Sequence, residues 1–327
     1  MRIFSKPIKS LAVVLCLWAA ASAQAQTFPN KPIRIIVPFG ASSGLDPIGR
    51  GIGERLAEQM GVPVFVENRE GAGGQVGVMA AVASPPDGST IIIVVNPPYA
   101  AAPYMRAKLP YDPLTDLTPI ARVVTTPLML IASNQSGLNT FSEMVQVAKS
   151  QPGKLSYGSS GVGTASHLKM EQIKLVDKLD IKFVPYKSTG QQMMDTVGGQ
   201  LDLSFPSLAG GLPQVQSGKV RALAIGSPQR NPLLPAVPTL AEATGKPGLE
   251  AVVWYAFMGP KGMPHDVVAR LASEIEKALD TPAMAKVAET LGAERSFLGP
   301  VGFTEQVRKS AEESRSLIKE LNIMVQE

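Results

Sequence analysis

Three loops rich in glycine and serine carry the residue types and spacing that could do chemistry. The first, Gly40-Ala41-Ser42-Ser43-Gly44, follows the apolar run Ile33 to Phe39 and precedes a helical pattern. A serine in G-x-S-x-G between strand and helix is the arrangement of a nucleophile elbow, with Ser42 attacking and an acid plus His167 or His265 completing a triad. Too little chain precedes the motif to supply the strands and oxyanion loop that this arrangement needs. His265, after Pro264 at a helix start, suits a capping or surface position. A secreted serine hydrolase built on Ser42 stays as the competing expectation. The second loop, Gly71-Ala72-Gly73-Gly74-Gln75-Val76-Gly77, departs from the spacing G-x-G-x-x-G, and Ile91 stands where an acid must hold a ribose. Close packing of a helix on a strand is the ordinary use of such a run.

The third loop, Gly158 to Thr164, leads into a helix from about Ala165 and needs no catalyst to be useful. Helix starts at Gly44–Asp46 and at Gly163–Ser166 each follow small residues whose backbone N–H groups lack an intrahelical partner. Free amides and the helix dipole together attract an anion, a carboxylate above all. Ser42, Ser43, Ser159, Ser160 and Thr164 add hydroxyl donors, so one loop from each half of the chain could grip a ligand from two sides.

The elements that must position these loops alternate. Ile33–Phe39 reads as a buried strand, and Asp46 as the cap of a helix with Pro47 in its first turn and Ile48, Ile52, Leu56 and Met60 on one face. Val62–Glu67, a helix over Gln75–Ala83 and Thr90–Val95 follow, which argues for a mostly parallel sheet with helices on its faces. The pattern restarts with strand Leu128–Ala132 and a helix opened by a capping box at Thr140 and Glu143. Strands at Leu155–Tyr157, Asp180–Tyr186, Leu201–Phe205 and Val220–Gly226 come next. From Val267 onward the spacing predicts helix alone, with Pro282 in a first turn, Gly292 as a stop and a last helix from about Thr304. The fold class is therefore α/β, in two units.

Composition narrows the rest. The chain has 327 residues, 45% hydrophobic and 18% charged, with 31 Lys+Arg against 27 Asp+Glu, enough for two ordinary folded units. Met1 to Ser10 holds Arg2, Lys6 and Lys9, Leu11 to Ala20 is unbroken apolar sequence, and Ala21-Ser22-Ala23 or Ala23-Gln24-Ala25 offers a cleavage site. These are the marks of a secretory signal over residues 1–25. Removing those three bases from 31 leaves 28 against 27, so the basic balance belongs to the leader and argues against a nucleic-acid partner. Cys16 leaves with the leader, which excludes thiol chemistry and Cys-ligated metals. No cofactor and no metal are expected, and the place is outside the cytoplasm.

At these residues the chain resembles a known family. Its marks are Val37-Pro38-Phe39 to Asp46, Glu67-Asn68-Arg69 before Gly71-Ala72-Gly73-Gly74, Leu109-Pro110-Tyr111-Asp112-Pro113, and Tyr157-Gly158-Ser159 to His167-Leu168. Further ones are Val184-Pro185-Tyr186-Lys187, Gly198-Gly199-Gln200-Leu201-Asp202 and Val237-Pro238-Thr239-Leu240-Ala241-Glu242. Together, in this order and over the whole mature chain, they are similar to the Bug/TctC family, the periplasmic solute-binding receptors of tripartite tricarboxylate transporters. The resemblance implies a type II periplasmic binding protein, two α/β lobes with a ligand cleft between them. Lobe 1 would hold 27–126 and 257–327, and lobe 2 would hold 127–256. It also implies a monomer without catalytic activity that takes a small carboxylate and meets membrane transporter subunits transiently. Carried over, the pincers are Phe39, Gly40, Ala41, Ser42, Ser43, Gly44 and Asp46 on one side, and Ser159, Ser160, Gly161, Gly163 and Thr164 on the other. Asn96, Pro97, His167, Tyr186, Lys187 and Asp202 would lie at or just behind the cleft. Two departures border that pocket: Ala41-Ser42-Ser43 replaces the usual Pro-Gly-Gly, and Ser188-Thr189-Gly190-Gln191-Gln192 replaces Gly-x-x-Pro-Ala. They point to an unusual ligand and leave the fold untouched.

Overall fold

The computed structural model describes residues 28–41, 43–96, 111–112 and 114–322. The leader, Ser42 and Pro97 lie outside them. Among the described residues, no helix is long and apolar enough to cross a membrane.

The first half-sheet is built from buried isoleucine and valine. Strands β1 (Ile33–Val37), β2 (Val64–Asn68) and β3 (Thr90–Val95) lie parallel in the order β2-β1-β3. Both faces of β1 are covered. Ile33, Ile35 and Val37 enter one core while Ile36 joins Ile92, Val94 and Trp254 in another, as a strand with helices on both sides requires. Helix α1 (Leu45–Met60) follows β1 and buries Ile48, Ile52 and Leu56, one every fourth residue. Helix α2 (Gln75–Val82) follows β2.

The rest of this sheet is antiparallel. Strand β4 (Leu117–Pro127) and the late strand β10 (Val252–Pro260) pair along their length, β10 lies between β3 and β4, and β11 (Glu294–Leu298) edges β4. The sheet is therefore mixed, not mostly parallel. Strand β11 also corrects the expectation of helix alone after Val267. It is held by Arg122, whose guanidinium donates to the Ser296 carbonyl (2.9 Å) and hydroxyl (2.8 Å).

The second sheet has the order β7-β6-β8-β5-β9. It comprises β5 (Met129–Ser133), β6 (Ser156–Ser159), β7 (Lys182–Pro185), β8 (Leu203–Ser204) and β9 (Val220–Ile225). Its helices are α3 (Phe141–Ser150), α4 (Ala165–Asp177), α5 (Thr189–Gly198), α6 (Leu208–Gln216) and the short α7 (Leu240–Thr244). Thr140 caps α3 by accepting from the Glu143 N–H (3.1 Å), but Glu143 reaches back one residue further than a capping box, to the Asn139 N–H (2.7 Å). Helices α8 (His265–Leu279), α9 (Pro282–Thr290) and α10 (Pro300–Leu321) return to the first sheet. Helix α10 begins at Pro300 rather than Thr304, with proline in its first turn, where a missing N–H costs nothing. It packs Phe303 edge-on against Trp254 at 5.2 Å.

Two connections join the sheets, and they touch. The Leu128 N–H donates to the Ala251 carbonyl (2.7 Å), the Ala251 N–H to the Gly226 carbonyl (2.9 Å) and the Gly226 N–H to the Leu128 carbonyl (2.8 Å). The crossing therefore falls at residues 128 and 251. The expected border at 256/257 would cut through β10, which pairs with β4 from Val252 onward.

Candidate functional site

A cleft of about 450 Å³ lies where four helices begin. From the first sheet come Phe39, Ser43, Gly44 and Leu45 at the start of α1. From the second come Ser160, Thr164 and Ser166 at α4, Thr189 and Gly190 at α5, and Ser207, Ala209 and Gly210 at α6. Strand-to-helix turns put the helix starts at the sheet ends, where ligands of open α/β sheets collect.

The α1 end is open to an acceptor. Its cap is Gly44, with φ −63° and no side-chain bond, so Asp46 is not the cap expected from sequence. The buried Ser43 hydroxyl has no hydrogen-bond partner among the described residues. The Ser43 and Asp46 N–H groups are already given to the Gly40 (2.9 Å) and Ser43 (3.2 Å) carbonyls, so it is the orphaned hydroxyl at the helix start that suits a ligand oxygen. Asp46 instead braces the loop from behind. Its buried carboxylate accepts from Arg50 Nε and Asn68 Nδ2, both at 2.8 Å, and Asn68 Nδ2 also donates to the Phe39 carbonyl (2.9 Å). Asp46→Ala should lower stability by about 1–2 kcal/mol, because it removes two hydrogen bonds while Arg50 and Asn68 keep their bonds to each other and to the Phe39 carbonyl. Urea unfolding checks this, and an unchanged midpoint would show that the brace carries no load.

The α4 loop is tied internally. Gly161 takes φ +138°, a backbone region closed to side chains, and its Cα face lies against Gly73 of the other sheet's loop. Ser159 Oγ and Thr164 Oγ1 both donate to the Gly161 carbonyl at 2.9 Å, which leaves Ser160 the free hydroxyl of the loop. Thr164 caps α4, accepting from the His167 N–H at 3.4 Å. The His167 Nδ1 accepts from the Gly163 N–H (3.2 Å), while its ring packs on Phe183 at 4.4 Å. Burial brings the His167 imidazole down to about 4, with Glu171 opposing and Lys174 adding to the shift. His167 is thus a neutral loop anchor. It is not free to serve Ser42 as a base through that nitrogen.

Other residues singled out from sequence sit elsewhere. Ala41 is exposed, and Gly40 and Lys187 border a small recess beside the cleft that also touches Glu70. Asn96 Oδ1 accepts from the Trp254 N–H (2.6 Å) and faces a different cavity, of about 700 Å³. The Tyr186 hydroxyl donates to Asp195 (2.9 Å), and burial raises it to about 12. Asp202 accepts from Ser156 N–H and Oγ, both at 2.8 Å, at the opposite end of β6 from Ser159. There it holds two strands together and does not line the cleft.

Sequence reasoning placed Ser188–Gln192, where α5 begins, at the border of the pocket, and missed Met193 and Met194, the α6 wall and Tyr255. Ser207 caps α6, and its side chain meets the Tyr255 hydroxyl, which burial raises to about 12. The signal was legible: Phe205-Pro206-Ser207-Leu208-Ala209-Gly210-Gly211 repeats the scheme of strand, serine, small residues and helix. Among the described residues, Tyr255 is the only ionisable side chain lining the cleft, and no group of three His, Cys, Asp or Glu could hold a metal.

Two mixed sheets, linked by adjacent crossings and meeting at a cleft rimmed by helix starts, define a solute-binding protein of the periplasmic type. The tripartite tricarboxylate transporter family receptor (TctC) model matches residues 48–323, and the chain belongs to that family. It is 34% identical over 275 residues to Protein BugT of Bordetella pertussis (strain Tohama I), covering 84% of each chain. The periplasmic binding protein BugD aligns with TM-score 0.86 and 31% identity over 91% of this chain and 100% of that one. An R. palustris protein solved with adipate aligns with TM-score 0.86 and 28% identity, over 91% of this chain and 99% of that one.

Proposed function

We propose that this chain is an exported receptor without catalytic activity, which captures a small organic carboxylate between two lobes and passes it to the membrane subunits of a tripartite tricarboxylate-type transporter. The observation that carries the proposal is the buried, unpartnered Ser43 hydroxyl at a cleft where four helix N-termini meet. Adipate in the R. palustris relative supports the ligand class. The leader at residues 1–25 supports export. Lobe 1 comprises residues 28–127 with 252–322, lobe 2 comprises 128–251, and closure bends the chain at 128 and 251. The receptor acts as a monomer.

A thermal-shift series on the leader-free chain tests this, using small carboxylic acids beside their neutral amides. An acid at a hundredfold excess over Kd should add about 2.7 kcal/mol, several degrees in Tm, and its amide nothing. Equal shifts from acid and amide, or none from any acid, would overturn the assignment.

A further inference from the structure

Beyond the helix starts, the cleft lining changes character. Met193 and Met194 of α5, Phe205 and Pro206, Pro213 of α6 and Val253 form its remaining wall. Met194, 68% exposed, presents its apolar side chain at the lining of the cleft. Methionine is the side chain that best adapts to an irregular apolar guest. The polar groups on this side are already engaged. Gln192 Nε2 donates to the Gly158 carbonyl (2.9 Å), and Ser207 Oγ accepts from the Gly210 N–H (3.4 Å) beside Tyr255. Gln214 and Thr189 remain, both neutral. The Ser43 hydroxyl, without a partner among the described residues, sits at the α1 start, and Ser160 lines the cleft before α4. The adjoining recess there carries Lys187 together with Glu70.

We infer that the ligand is a monocarboxylate with an uncharged, apolar body: its carboxylate lies on the α1 and α4 starts, and its body lies against Met193, Met194 and Phe205. This rests on the carboxylate reading above and narrows it. A second carboxylate at the methionine wall would lose its water without gaining a cation among the described residues, and burying an unpaired charge is disfavoured. An alkyl or aryl body would instead remove apolar surface from water on both partners.

Hexanoate and adipate make the decisive pair, since they share six carbons and differ at one end, with benzoate as an aryl probe. Isothermal titration of the leader-free chain should show hexanoate or benzoate binding at least tenfold more tightly than adipate. Met194→Lys places a cation on the exposed side of α5, where folding tolerates it. That variant should reverse the order, weakening hexanoate and strengthening adipate tenfold or more. Tighter binding of adipate than of hexanoate and benzoate by the unmodified chain would overturn the inference and leave the carboxylate reading standing. Binding of none of the three acids would overturn both. A Met194→Lys variant with unchanged preferences would remove the methionine wall from the ligand's path.

Discussion

Gly44→Val should still fold, at a lower Tm, and bind its ligand about a hundredfold less well. The backbone at Gly44 has φ −63° and ψ −13°, which any residue adopts, so the substitution strains nothing locally. One obstacle is in the same lobe and one is across the cleft. A Cβ at this position would stand 2.8 Å from the Tyr255 hydroxyl of β10 and 3.4 Å from the Ala209 Cβ on the opposite side of the cleft. Tyr255 is 2% exposed and cannot swing aside, so the start of α1 must shift, and the valine methyls meet Ala209 and hold the lobes apart. A hundredfold loss corresponds to about 2.7 kcal/mol. Calorimetric titration measures it, and the ligand-free melt shows that the fold is intact. Gly44→Ala should lose less, and adding Tyr255→Phe should restore part of that loss by removing the nearer atom. Full affinity in Gly44→Val would mean that this contact plays no part in the bound state.

The second large effect is one of pH. His167 is held neutral, its imidazole brought down to about 4 chiefly by burial, whereas in the unfolded chain it titrates near 6.5. The unfolded state therefore takes up the proton first as pH falls. The stability tied to the neutral ring is complete above about 6.5 and disappears progressively toward 4, in total about 3 kcal/mol. Protonation also turns Nδ1 from acceptor to donor, against the Gly163 N–H that it now receives, so ligand affinity should weaken only as pH nears 4, where the folded state itself takes up the proton. His167→Gln keeps an acceptor for Gly163 and carries no titration. Urea midpoints at pH 7 and pH 4.5 should fall much further for the unmodified chain than for this variant. Equal drops would remove His167 from the acid response.

Much of the fold is legible in the sequence where local pattern and burial agree. The run IRIIV, the fourfold spacing of Ile48, Ile52 and Leu56, and the caps at Thr140 and Thr164 need no tertiary information. Strand β11 escaped because ERSFL carries charge at its start and gains its pairing from Arg122, far away in sequence. Asp46 was mistaken for a cap because an acid before Pro47 fits the rule, while the fold spends that carboxylate on Arg50 and Asn68. At the site, the two loops with the strongest glycine and serine signature were visible from spacing alone. The start of α5 was visible as a departure bordering the pocket, whereas the α6 loop, although it repeats the same scheme, was passed over because a cleft is a property of two lobes and no single segment says which loops meet. Asp202 shows the converse: a residue in a characteristic motif whose partner, Ser156, makes it a strand clamp.

The position of β10 has a consequence for how the molecule comes into being. The gap between β3 and β4 is filled by a strand made only after the whole of residues 128–251. During synthesis the earlier strands emerge without the neighbour that joins them, while the later unit, entire and contiguous, has all its own strands in hand. The inserted unit can therefore mature first, and the unit that holds the chain's beginning matures last. Such a delay would suit the export proposed above, since the leading segment cannot lock before the rest of the chain is made.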